Sequence, residues 1–333
     1  MRRLIRDLRS DERGVASTVG TIMALLVFLT FLSVIVNQYV PIWMTDSESS
    51  HMNAALGQFG GFKGAIDLQM LAAQAAQDAG TFNIPVTTST AISLGVDGVP
   101  IFSSPTPGTL ELNPDAAPFT VAFDYLINGQ RRSVADQASG SVELTAANRY
   151  YTPQRIAYEN GAVMWYQTDG QFIRVHPTFS VLLSNKTMDI SFALLSLYGK
   201  GIVTGTTTEL VSSELFAWDR QEYTNFPSNA VLWVNHTASR YGLSWFRFMN
   251  QTLADTLKLG GTYTRTSLDE RFIAKSGAVT VYDIRSTLNP TTGLYIMRLS
   301  IYNNPGIMGL SYFRLQHAQV QVSVGDATTQ VKF

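Results

Sequence analysis

At 333 residues the chain is more than twice a typical domain of about 150, so a helix with one large or two smaller folded units is expected. Cysteine is absent, which excludes disulfides and thiolate metal sites and leaves a packed core to hold the fold. The net charge is −1, with five arginines and three acids ahead of Val15, and no basic run follows, so nothing argues for nucleic-acid binding.

The first element is an apolar helix. No charged residue stands between Arg13 and Asp46, and Val15–Val36 is a 22-residue run interrupted only by small hydroxyls and Gly20. Wound as a helix at about 1.5 Å per residue it is roughly 33 Å long, enough to cross a bilayer core of about 30 Å. Arg2, Arg3, Arg6, Arg9 and Arg13 predict a cytoplasmic N-terminus, with everything after Trp43 outside. The run is too long for a cleaved secretory signal, and no small-residue cleavage site follows it.

A charged leader ending in Arg13-Gly14, followed by Val-Ala-Ser-Thr-Val-Gly-Thr-Ile, resembles the class III signal peptide of archaeal type IV pilins and archaellins. The resemblance covers about 40 residues. It implies cleavage of the Gly14–Val15 bond by a prepilin peptidase and retention of the helix, with Val19, Ile22, Leu25, Leu26, Leu29 and Leu32 facing lipid or other pilin-like subunits. The sequence departs from the Ser-Pro-Val-Ile-Gly of many archaeal pilins at Ser17-Thr18-Val19-Gly20. The glutamate usual at the fifth mature position of bacterial pilins is replaced by Val19, as in the archaeal branch. An uncleaved anchor is the plain alternative.

Beyond the span, Met52, Ala55/Leu56, Phe59, Phe62, Ile66, Met70 and Ala73 recur at a 3–4 spacing and extend the helix to Ala79-Gly80. Asp46–Ser50 should form its first aqueous turns. Pro41 should kink it near the membrane exit. Gly57, Gly60, Gly61 and Gly64 either admit another backbone or melt that turn.

From residue 80 the chain reads as strands and turns. Phe119–Ile127 alternates and ends in Asn128-Gly129, a hairpin signal. Tyr158–Val175 reads as two β-runs joined by Thr168-Asp169-Gly170, and Phe179–Leu183 with Asp189–Leu197 as another hairpin. Ser244–Leu259 is a later helix stopped by Gly260-Gly261, and strands return at Val279–Ile284, Leu294–Tyr302 and Ala318–Val324. The expected class is therefore α+β: a leader (1–14), a transmembrane helix (15–43), an amphipathic extension (44–79) and a sandwich-like extracellular β region. The β region either divides into lobes 80–200 and 201–333 or runs through as one sheet system.

No chemistry-bearing motif emerges. His51, His176, His236 and His317 are far apart and form no zinc motif, Gly199-Lys200-Gly201 lacks a phosphate-loop frame, and no G-x-S-x-G occurs. Neither an enzyme nor a cofactor is expected. Asn185, Asn235 and Asn250 head N-x-[ST] sequons, acceptors for glycans outside the cell. Aromatic pairs such as Tyr150-Tyr151 and Trp165-Tyr166 fit a β core better than a sugar-binding surface. The leading expectation is a pilin-like surface protein, anchored or assembled through its helix, with an adhesive or structural ectodomain. A monomeric tethered module binding glycan or solute is the second reading.

Overall fold

In the computed structural model, residues 2–325 are described, with side chains from Ala16 onward. One long helix precedes a β-rich body. It comprises α1 (Arg2–Val34), a π-helical turn (Ile35–Tyr39) and α2 (Val40–Asp78), followed by a turn at Ala79-Gly80. Pro41, in the first turn of α2, has no N–H to offer, and the chain meets this with a wide turn in which the Val40 amide donates to the Ile35 carbonyl, five residues back. The four glycines of α2 do not melt it, because the helix is held from one side by the body.

The strands in chain order are β1 (Thr88–Ser93), β2 (Gly108–Asn113), β3 (Phe119–Ile127), β4 (Gln130–Ala138), β5 (Ser141–Ala146), β6 (Gln154–Glu159), β7 (Ala162–Gln167), β8 (Gly170–Val175), β9 (Phe179–Ser184) and β10 (Thr187–Lys200). Then come β11 (Ile202–Gly205), β12 (Thr208–Tyr223), β13 (Val231–Ser239), α3 (Gly242–Leu257), β14 (Gly260–Arg265), β15 (Asp269–Ser276), β16 (Val279–Asn289), β17 (Leu294–Tyr302) and β18 (Gly309–Val324).

They form a five-stranded sheet (β1-β12-β18-β10-β9), a six-stranded sheet (β11-β2-β5-β6-β7-β8) and a seven-stranded sheet (β14-β15-β16-β17-β13-β3-β4). Each sheet takes strands from both sides of residue 200, so sheet pairing runs through the position where the sequence suggests a boundary. β10 and β18 pair in parallel across more than a hundred residues of chain. Because successive side chains in a strand face opposite ways, β10 serves two cores. Ile190, Phe192 and Leu194 join the core under α3 and the seven-stranded sheet, whereas Ala193, Leu195 and Leu197 join the core that contains α2.

The second core is closed by the helix. Phe59, Phe62 and Ile66 are wholly buried among strands of the five- and six-stranded sheets, each worth about 2–3 kcal/mol of burial. Phe62 meets Tyr158 edge-on, with ring centroids 5.1 Å apart. Turn chemistry follows the sequence at Asn128-Gly129, where both residues take positive φ (50° and 77°) between β3 and β4. An additional tight turn at Asn160-Gly161 (φ 44° and 79°) splits the Tyr158–Val175 stretch, so Tyr158 belongs to β6 and not to β7. The later helix ends at Lys258, held left-handed at φ 50°, and the two glycines after it begin β14.

Candidate functional site: the long helix and its joint with the β region

The helix has two surfaces in succession. From Ala16 to Tyr39 no residue is buried; Val19, Ile22, Leu25, Leu26 and Leu29 are exposed, and Leu32 is partly covered. Gly14 and Val15 lie in the α1 backbone, but their side chains are outside the described residues. The helix from Ala16 is long and apolar enough to cross a membrane. At Val40 and Met44 the side chains become almost fully buried, and from there the helix runs along the β region.

Polar side chains on α2 fasten that contact by satisfying strand backbone. Gln69 donates to the Ser213 carbonyl (3.1 Å) and the Thr88 hydroxyl (2.7 Å), and accepts from the Leu215 amide (2.7 Å), beside the bulge where β12 shifts register. Gln58 accepts from the Ser93 amide at 2.9 Å, and His51 Nε2 lies 3.0 Å from the Ser93 carbonyl. Burial lowers the His51 pKa, against the opposing pull of Ser93 and the Glu48 charge, so this imidazole is neutral and its Nε2–H donates at ordinary pH.

Glu48 is the centre of the joint. The sequence places it in an aqueous turn; it is instead fully buried. Its carboxylate accepts from the Thr106 hydroxyl (2.7 Å) and from the amides of Arg149 (3.1 Å), Tyr150 (2.9 Å) and Tyr151 (2.7 Å). Burial opposes ionisation, but these donors outweigh it and hold the carboxyl below its usual 4.5. Two loops, one ending at Thr106 and one between β5 and β6, are thereby tied to the same turn of helix. Lys63 is likewise buried and paired with Asp67 at 2.5 Å, its aliphatic stem lying along the core.

The outer face of α2 carries little. A Cβ added at Gly57, Gly60 or Gly64 would meet nothing within 4 Å. Leu68 and Leu71 continue this face and are exposed, and a groove of about 300 Å³ opens between Leu68, Ala72 and the Asn83–Val86 segment. These glycines fill no tight contact within the molecule.

A second constellation, invisible in the sequence, surrounds Glu159 at the end of β6. His236 Nε2 lies 2.6 Å from its carboxylate, Ser239 donates to it at 3.0 Å and Trp245 at 2.8 Å, all buried. His236 stacks on Phe119 at 3.8 Å. Ser239 and His236 thus converge on one carboxylate and not on each other, unlike the chain of bonds that activates a serine nucleophile. The cluster ties the six-stranded sheet to β13 and α3. Beside it a cavity of about 290 Å³ is lined by Glu143, Glu159, Arg155 and Tyr241. Arg155 and Tyr241 already bond Glu143, at 2.6 and 2.8 Å. Burial and then the Glu143 charge push the Tyr241 phenol well above its ordinary value, keeping it a donor.

Among the described residues, no three His, Asp or Glu side chains are placed to hold a metal ion. Of the sequon residues, Asn185 stands exposed in the turn between β9 and β10, Asn235 is half-buried in β13, and Asn250 on α3 accepts from the Tyr282 hydroxyl at 3.2 Å. Comparison with protein families, curated proteins and solved structures found no match.

Proposed function

We propose that this chain is an archaeal type IV pilin-like surface protein, processed at Gly14–Val15 and held in a membrane or a filament through its N-terminal helix. The β region then serves as an adhesive or structural ectodomain displayed outside the cell. The observation that carries this reading is one helix with two successive surfaces, uncovered and apolar from Ala16 to Tyr39, then buried along one side from Val40. In water the uncovered half would be strongly unfavourable, since each exposed leucine forgoes about 1.5–3 kcal/mol of burial. Lipid or the helices of other subunits would remove that cost, and the joint would transmit the attachment to the β region. The open glycine face of α2 favours close approach of a neighbouring helix over isolation.

The test is mass mapping of the N-terminus of protein purified from its native membrane and medium. A mature start at Val15 is expected. An intact leader, or loss of the whole apolar helix, overturns the pilin-like reading and leaves a tethered or secreted binding module.

A further inference from the structure

The loops gathered by Glu48 have a second use. β1 runs from Thr88, beside Gln69, to Ser93, beside Gln58 and His51, and so travels toward the N-terminal end of α2. The chain continues that way to a bridge between Val96 and Thr106, and residues 97–105 lie beyond it. The loop between β5 and β6 reaches the same level, where the Thr45 hydroxyl bonds the Tyr150 carbonyl at 3.3 Å. Together the two loops form a rim on the body side of the helix, near where it becomes uncovered.

The rim sets large apolar and aromatic side chains in water beside exposed Asp97 and Arg149, the mixture of a headgroup boundary. Ile101 is 100% exposed and sits at φ 73°, a backbone region that β-branched residues rarely occupy. Tyr150 is exposed nearby, and on the helix Tyr39, Ile42 and Trp43 are exposed, with the Tyr39 and Trp43 rings 5.9 Å apart. Rings with an apolar body and a polar tip gather where hydrocarbon meets headgroups. The uncovered helix from Ala16 to Tyr39 is about 36 Å long, so a bilayer core of about 30 Å around it ends near Tyr39. Asp46, one turn beyond Trp43, marks the wet side.

We propose that this rim is a lipid contact: Ile101, Tyr150, Tyr39 and Trp43 seat the β region in the headgroup–acyl boundary of the outer leaflet and fix its height above the membrane. The inference depends on the reading that Ala16–Tyr39 lies in lipid, and the experiment separates the two. Because the chain has no cysteine, single nitroxide labels can be placed by Leu26→Cys, Ile101→Cys and Leu71→Cys in the full-length protein. The protein is reconstituted in phosphatidylcholine–phosphatidylglycerol vesicles, and collisions with oxygen and with a water-soluble nickel chelate are compared by electron paramagnetic resonance. The expected order of oxygen-to-nickel accessibility is Leu26 highest, Ile101 intermediate and Leu71 lowest. A deep Leu26 with Ile101 as wet as Leu71 overturns the rim contact and leaves the span standing. Protection of Ile101 from both reagents points to a second copy of the chain on the rim and also overturns it. A wet Leu26 removes the span and the inference with it.

Discussion

Ala16–Tyr39 and Val40–Asp78 belong to one helix, yet the more apolar half is the uncovered one. The second half contains four glycines and buries Glu48, His51, Lys63 and Gln69, and still forms part of a core. Apolar content alone therefore does not place a helix inside a protein. Spacing does: a stripe at every third or fourth residue fits one sheet surface, whereas residues apolar on every side call for an apolar solvent or other helices.

Substitution on the two halves should separate them most sharply. Phe59→Ala or Ile66→Ala is expected to destabilise the β region by about 3–5 kcal/mol in urea titrations of detergent-solubilised protein. Leu26→Ala should leave the same transition within about 0.5 kcal/mol, and a comparable loss there would mean the uncovered half folds back onto the body.

Next in size is the joint. Glu48→Ala leaves a hydroxyl and three amides without their acceptor and should cost about 3 kcal/mol. Its signature is early hydrogen exchange at Arg149–Tyr151, with the helix itself unchanged. Acid should act similarly but less severely. A carboxyl with a lowered native pKa contributes stability in full above its unfolded value and loses it as pH falls through the native one. Protection of those amides, taken relative to their intrinsic exchange rates, should therefore fall as the pH drops below the unperturbed 4.5 and through the lower native value of Glu48. Unchanged protection down to the global acid transition would contradict the role given to Glu48.

The smallest expected effect runs the other way. Gly57→Ala adds a methyl in open space and should stabilise the dispersed protein by about 0.5–1 kcal/mol. The same substitution should weaken any assembly that brings a second helix against this face. Higher thermal stability with unchanged assembly would show that the glycine face has no partner.

Much of this was legible because it is local. The helix could be read from an uncharged run and then a 3–4 spacing, and the β3–β4 hairpin from alternation ending in Asn128-Gly129. Asn160-Gly161 carries the same signal, but the run after it, Ala162, Val163 and Met164, is buried without a break, so the period-two alternation that marks a hairpin strand is missing. The parallel pairing of β10 with β18 leaves no local mark. Glu48 was misread for a related reason: its partners lie on loops 58 and about 100 residues away. A carboxylate on a helix looks solvated until those donors are folded around it. The meeting of Glu159, His236, Ser239 and Trp245 likewise exists only after two sheets and α3 pack together.

The π-helical turn before Pro41 sets the angular phase between the uncovered half of the helix and the β region. A turn of ~3.6 residues gives each residue ~100° about the axis, and the wide turn absorbs roughly one residue that a regular helix would have used to advance the winding. Which side of the apolar half lies beneath which side of the β region is thus decided within Ile35–Tyr39. Closing this turn to a regular helix without removing a residue would swing the β region about 100° around the helix and change which of its surfaces every neighbour would meet, whereas deleting the one absorbed residue would keep the phase.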